Sequence, residues 1–133
     1  MTDHSAPGAA FAATARSGEL AAELLDVISE SELEAFVARL VAEAARDTGR
    51  RLRADARRAL VAELSKTAER TLPTLQVALG ARGGLTAPAA AQAAARLYGT
   101  ELEGMSPEDR DFEIARQFVR FSQERAAATA ARP

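Results

Sequence analysis

Apolar side chains recur at the spacing of an α-helix through residues 29–49, and this pattern constrains the fold more than any other feature of the chain. Ser29 and Glu32 form a capping-box pattern at its start, and a second possible box begins two residues later. Gly49 suits the left-handed backbone at which many helices stop. The sequence therefore predicts an amphipathic helix whose apolar face repeats at steps of three and four residues: Leu33, Phe36, Val37, Leu40, Val41 and Ala44.

The same spacing predicts helices elsewhere in the chain, over residues 18–28, 50–72, 86–104 and 106–125. Pro73 has to end or bend the second of these, since it cannot donate a helical hydrogen bond. No segment has the period-two alternation of β-branched residues that predicts a strand. We therefore predict an all-α fold of four to five helices, most simply an antiparallel bundle.

The last predicted helix carries the best start signal and the largest side chains. Ser106 is its cap, and Pro107 occupies the first helical position, where its missing N–H matters little. Three of the five phenylalanines follow, and each adds roughly 1.5–3 kcal/mol of transfer free energy when buried. We expect Phe112, Phe118 and Phe121 to be hidden in the helical core.

Composition marks the ends of the chain as different from its body. Residues 1–17 have no periodicity and predict a disordered arm, and residues 126–133 predict a frayed tail. Residues 18–125 then form one helical domain, with a glycine-rich flexible joint at 80–84.

Several kinds of chemistry are excluded by residue type. The chain has no cysteine, which removes disulfides, thiolate zinc sites and thiol nucleophiles, and His4 is its only histidine. No catalytic constellation, cofactor site or metal site is predicted. The opening residues do not resemble a secretory signal, and no apolar run approaches the ~20 residues that span a bilayer. We expect a cytoplasmic protein, and the composition is typical of a GC-rich bacterial genome.

Arginines concentrate at residues 46–58, which carry six positive and two negative charges, a net charge of +4. One interpretation is a solvated helix junction, and the other is contact with phosphates or an acidic partner. Nucleic acid is disfavoured, because no aromatic residue lies between Phe36 and Tyr98 to stack with bases. Four of the arginines would form a stripe if the helix continued through Gly49. The candidate interaction patch is Arg46, Arg50, Arg53, Arg57 and Arg58.

Acidic residues concentrate near the start of the last helix. A cation site is conceivable, but the spacing lacks the glycine and the length of a calcium loop. Helix-start electrostatics explain most of these carboxylates. A third interpretation is that they dock onto the arginine cluster, within one chain or between two. The candidate acidic patch is Glu101, Glu103, Glu108, Asp109 and Asp111.

Residues 24–41 and 97–127, about 50 of the 133, resemble an uncharacterised family of bacterial proteins. The resemblance rests on "LEGMSPED" at 102–109 and on "FEIARQFVR" at 112–120, where the family has Phe-Glu-x-Ala-Arg-x-Phe-Val-Arg. Family members carry a glycine-rich apolar middle segment, and this chain has an arginine-rich helix there. The resemblance implies no known activity, cofactor or substrate.

These observations favour a non-enzymatic helical adaptor or assembly component that binds another protein or itself. The first alternative is a weak binder of an anionic polymer or a membrane surface through Arg46–Arg58. The second alternative is a small enzyme that uses carboxylates alone. Salt-dependent retention on nucleic acid or anionic lipid would separate the first alternative from the adaptor.

Overall fold

A computed structural model describes residues 16–78 and 86–131, and every regular element in these ranges is an α-helix. The all-α prediction is confirmed, with six helices rather than four to five. The predicted joint at 80–84 lies outside the described residues. Helix α1 is described over residues 16–25, and it is followed by α2 (Glu30–Asp47), α3 (Ala54–Thr71), α4 (Pro73–Ala78), α5 (Ala87–Tyr98) and α6 (Pro107–Ala131).

Helix α1 lies antiparallel on α2, and two exposed ion pairs mark its direction. Arg16 binds Glu43 at 2.8 Å, and Glu23, further along α1, binds Arg39, which comes earlier in α2. The hydrogen bond to Glu43 and its negative charge raise the pKa of Arg16. Because residues 16 and 17 are helical, the predicted disordered arm is wrong at its last two residues, and its first fifteen lie outside the described residues.

Helix α2 packs against α6 more extensively than against α3. All six predicted apolar residues are at most 8% exposed, so this prediction is confirmed. The capping box is also present at its start. The Ser29 hydroxyl accepts from the Glu32 N–H at 3.1 Å, and the Glu32 carboxylate accepts from the Ile28 N–H at 2.9 Å. Local hydrogen bonds therefore fix where this helix begins.

Proline separates α3 from α4, and a side chain compensates for the hydrogen bond that is lost. Pro73 has no N–H to offer the Glu69 carbonyl, four residues earlier. The amide nitrogen of Gln76, a buried residue, donates to that carbonyl instead. The chain can therefore turn at Leu72 while the Glu69 carbonyl keeps a hydrogen-bond donor.

Helix α5 is the alanine-rich helix, and it is shorter than predicted. The Thr86 hydroxyl caps its start by accepting from the Ala89 N–H at 3.2 Å. It ends at Tyr98 rather than near Gly104, because Gly99 takes a left-handed φ of 65°. The Thr100 N–H then donates to the Ala95 carbonyl at 3.2 Å, which closes a Schellman motif. The remaining residues to 106 form an exposed connection to α6.

Helix α6 begins as predicted but buries its aromatic rings unequally. The Ser106 hydroxyl accepts from the Asp109 N–H at 3.1 Å, and Pro107 opens the helix. Phe118 is fully buried, and Phe121 is partly buried against the core. The prediction is wrong for Phe112, which is 36% exposed because the buried face is centred on other residues: Ile114, Ala115, Phe118, Val119 and Ser122.

The carboxyl end of α6 also differs from the prediction of a frayed tail. The helix continues to Ala131, and Ala126 and Ala130 are buried. An ion pair of 2.7 Å between Arg125 and Glu63 joins this part of α6 to α3. Alanine is the best helix former, and its small side chain permits close packing, so low complexity here does not mean disorder.

Candidate interaction site at the α2–α3 connection

The turn between α2 and α3 is organised by one hydroxyl group. Gly49 adopts a φ of 75°, which favours glycine, and its N–H donates to the Arg46 carbonyl at 2.9 Å. The Thr48 hydroxyl donates to the Ala45 carbonyl at 2.6 Å and accepts from the Arg50 N–H at 3.2 Å. The hydroxyl thus bridges the Ala45 carbonyl and the Arg50 N–H. In a complete Schellman motif these two groups would bond to each other directly. The bridge fixes the backbone from which the next arginines extend.

An open hollow of about 610 Å³ lies beside this turn, within the roughly 300–1,000 Å³ range of ligand pockets. Part of its lining is apolar: Ala42, Ala45, Leu52 and Ala54. Leu52 is partly buried and packs against the core, so this apolar floor is continuous with the interior. The cationic residues of the lining are Arg46, Arg50, Arg51 and Arg57, and we call this site the basic hollow.

The four arginines of the basic hollow carry charge that their surroundings leave uncompensated. All four are exposed, and within residues 16–78 and 86–131 none of their guanidinium groups forms an ion pair. Asp55, the nearest acidic residue on α3, accepts from the Ala56 N–H at 2.9 Å and lies 3.9 Å from Arg53. A guanidinium with free donors binds carboxylate or phosphate groups in a two-pronged geometry.

The start of α3 adds to the positive potential of the basic hollow. Its N-cap is Arg53, whose side chain accepts no hydrogen bond, and the Ala56 N–H donates to the Asp55 carboxylate in the first turn instead. In α2 and α5, by contrast, Ser29 and Thr86 supply that acceptor. A helix start carries a partial positive charge on its free N–H groups, and here Ala54 is both the first residue of α3 and part of the lining.

A second, smaller hollow of about 350 Å³ lies alongside between α2 and α3. It shares Ala54 and Arg57 with the basic hollow and also contains Arg58 and Val61. Glu34 lines it too, so its charge is mixed. The positive surface therefore extends from the turn along α3 and weakens in that direction.

The structure brings together some, but not all, of the predicted interaction patch. Arg46, Arg50 and Arg57 meet at the basic hollow, whereas Arg58 lines the neighbouring hollow. Arg53 has an 85% exposed side chain beside Asp55 and lines neither hollow. The conditional arginine stripe does not form, because α2 stops before Gly49 and the turn redirects the chain.

Sequence reasoning left Arg51 out of the candidate patch, and it did not foresee the apolar floor. Arg51 reaches the hollow only because the turn reverses the chain, so no helical spacing could have grouped it with Arg46. The spacing of Ala42 and Ala45 ahead of Arg46 was an available signal for the floor.

The predicted acidic patch is exposed at the α5–α6 connection and the first turn of α6. Asp111 pairs with Arg110 at 3.4 Å. Across the described part of the chain, Glu101, Glu103, Glu108 and Asp109 form no ion pair, and none of the five meets the arginine cluster. Docking of the two patches within one chain is therefore absent from the described ranges.

Tyr98 has a strongly altered ionisation. Burial raises the pKa of Tyr98 to about 12, and a hydrogen bond of 3.3 Å joins its hydroxyl to that of Thr71. The Thr71 hydroxyl donates to the Thr67 carbonyl at 2.8 Å, so Tyr98 is the donor to Thr71. This chain of bonds joins α5 to α3.

Two further observations, on metal binding and on membrane spans, apply to residues 16–78 and 86–131 only. No group of three histidine, cysteine or acidic side chains there is arranged to hold a metal ion. None of the helices in those ranges combines the length and the apolar character needed to cross a bilayer.

Comparisons with protein-family models, with curated proteins and with solved structures found no match to this chain. The resemblance of residues 24–41 and 97–127 to an uncharacterised bacterial family stays a prediction. A function for the chain therefore has to be inferred from its own surface, where the basic hollow is the most developed feature.

Proposed function

We propose that this protein is a non-enzymatic helical adaptor or assembly component, and that its basic hollow binds an acidic segment of a protein chain. The observation that carries the proposal is the set of four arginines without ion-pair partners in the described ranges, placed around an apolar floor. Carboxylates would bind the guanidinium groups, and an apolar side chain between them would cover Ala42, Ala45 and Leu52.

The apolar floor favours a peptide over a polyanion. Nucleic acid and anionic membrane surfaces would use the arginines but leave the floor unused, and no aromatic residue lines the hollow to stack with a base. The net charge of −2 also repels a long polyanion from the rest of the surface. Weak binding of an anionic polymer or membrane surface through Arg46–Arg58 is the alternative, and the test below separates it.

An enzyme based on carboxylates has less support. Glu101, Glu103, Glu108 and Asp109 are exposed, and such groups lack the burial that tunes catalytic acids and bases. The proposal includes a cytoplasmic location and a bacterial origin, and the origin rests on the composition.

Binding of three fluorescent probes would test the proposal. The probes are a short peptide of alternating Glu and Leu, a DNA duplex, and vesicles that contain an anionic phospholipid. Each is titrated with the wild-type protein, with the hollow variant Arg50→Glu/Arg57→Glu, and with the control Arg96→Glu/Arg120→Glu. The control changes the charge equally at two exposed arginines outside the hollow.

We expect the peptide to bind the wild type and the control alike, and the hollow variant at least about tenfold more weakly. Circular dichroism would establish that the variants remain helical. If DNA or vesicles bind more tightly than the peptide, the alternative is correct. If no probe binds, or if the control loses as much affinity as the hollow variant, the basic hollow is not the binding site.

A further inference from the structure

We propose that the occupant of the basic hollow is a second copy of this chain, which inserts its own acidic α5–α6 connection. This inference rests on the proposed function, because it names the partner of the same hollow. The inserting element is residues 101–111, which we call the acidic segment.

Charge complementarity is the first observation that supports this pairing. The acidic segment contains five carboxylates and Arg110, a net charge of −4. Residues 46–58 carry a net charge of +4, so the two surfaces match in magnitude and oppose in sign. Opposite patches of this size steer the encounter of two copies at low salt, although the whole molecule has a net charge of only −2.

The shape of the acidic segment also fits the hollow. Leu102 packs against the core and anchors the connection, while Glu101 and Glu103 on either side of it are exposed. Met105 follows and is 41% exposed, so its apolar side chain is accessible to a partner. Methionine is flexible and fills irregular apolar surfaces, so Met105 could cover the apolar floor while the carboxylates bind the arginines around it.

Neither surface is satisfied by the described part of its own chain. Four of the carboxylates and all four hollow arginines form no ion pair with any residue in 16–78 or 86–131. The exposed side of the connection is therefore available to another copy. Because the two surfaces differ, each copy offers one of each, and the contact runs head to tail.

Complementary variants provide the test. The hollow variant is Arg50→Glu/Arg57→Glu, and the segment variant is Glu101→Arg/Glu103→Arg, which alters exposed residues outside any helix. The control is again Arg96→Glu/Arg120→Glu. Light scattering coupled to size-exclusion chromatography would give the mass of each full-length protein over a range of concentrations, at about 0.05 M and about 0.5 M salt.

We expect the wild type and the control to self-associate at low salt and to dissociate at high salt. Each complementary variant should self-associate at least about tenfold more weakly. A mixture of the two should form a mixed dimer, because one supplies an intact hollow and the other an intact segment. A Met105→Ser variant should also weaken self-association, which a purely electrostatic contact would not show.

A wild type that stays monomeric at low salt would overturn this inference. The same holds if both complementary variants associate as the wild type does, or if their mixture forms no dimer. Binding of the Glu-Leu peptide by a monomeric wild type would leave the proposed function in place and remove only the second copy as the partner. Loss of peptide binding in the hollow variant together with intact self-association would likewise remove only the second copy as the partner. A wild type that neither binds the peptide nor self-associates would remove both.

Discussion

The first two turns of α6, residues 107–113, and the rest of the helix use the same residue type in opposite ways. In the rest of the helix, Phe118 is fully buried and Phe121 packs edge-on against Tyr98, with ring centres 5.8 Å apart. In the first two turns, Phe112 is 36% exposed, and its ring tip lies near Gly18 of α1. The rest of the helix also stays buried at Ala126, where the side chains are small.

This difference shows that the position of a residue on the helix, and not its size, decides what it contributes to the stability of the fold. From Ile114 onward, one face of α6 belongs to the core, and its buried area stabilises the fold. The first two turns lie at the surface: their order comes from the Ser106 cap, and their charge is open to partners. The predictions below test this division, beginning with the largest expected effect.

Phe118→Ala should lower the free energy of unfolding by about 3–5 kcal/mol, because it leaves a cavity in a fully packed site. Phe112→Ala is the matched change in the first two turns of α6, and it should lower that free energy by only about 1–2 kcal/mol. Urea unfolding followed by circular dichroism would measure both. Equal losses would mean that the first two turns and the rest of the helix do not differ as described.

Ala126→Leu should lower the free energy of unfolding by about 1–3 kcal/mol, since Ala126 has no exposed surface and a larger side chain would overpack the site. Ala128→Leu, two residues on at an exposed position, should change it by less than about 0.5 kcal/mol. Thermal unfolding of both variants would check this. If Ala126→Leu leaves the free energy of unfolding unchanged, the carboxyl end of α6 is frayed, as the sequence predicted.

Ser106→Ala should lower the free energy of unfolding by about 1 kcal/mol, because the Asp109 N–H would lose its acceptor. Ser106→Asp retains an acceptor and should be close to the wild type. Hydrogen exchange should accelerate in the first turn of α6 and leave the region around Phe118 unchanged. Faster exchange throughout the helix would contradict the distinction between the first two turns of α6 and the rest of the helix.

Raising the pH above 10 should destabilise the protein through Tyr98. Its folded pKa is about 12, above the usual 10, so the folded state holds the proton more tightly than the unfolded state. This contribution is complete below pH 10 and is lost as the pH rises to about 12. Because Tyr98 is the only tyrosine and the chain has no tryptophan, phenolate absorbance reports its titration directly.

Tyr98→Phe should lose this alkaline component of the stability curve. It keeps the ring contact with Phe121 and removes the hydrogen bond to Thr71. An unchanged pH dependence in this variant would show that other groups cause the alkaline loss.

Much of the fold could be predicted from the sequence because local signals dominate it. The α2 stripe, the Ser29 box and the Ser106 cap are local patterns, and each is present in the structure. The stop at Gly99 was missed because Gly99 and Gly104 both suit a helix end, and both take positive φ. The local sequence could not show at which of these two glycines the helix stops.

Less of the candidate site could be predicted. The sequence identified an arginine cluster and its charge, but grouped the residues by helical spacing. The α2–α3 turn regrouped them, bringing Arg51 into the hollow and leaving Arg53 outside it. The apolar floor required knowledge of how α2 and α3 pack.

The sequence by itself determined the class of fold, the capped starts of α2 and α6 and the separation of charge, because each depends on residues within a few positions of one another. Only the tertiary structure decided which side chains are buried in α6 and which arginines surround one hollow. Those outcomes depend on the angles at which helices meet, which arise from contacts between residues far apart in the chain. Phe112 and Phe118 carry the same side chain, and packing alone separates them.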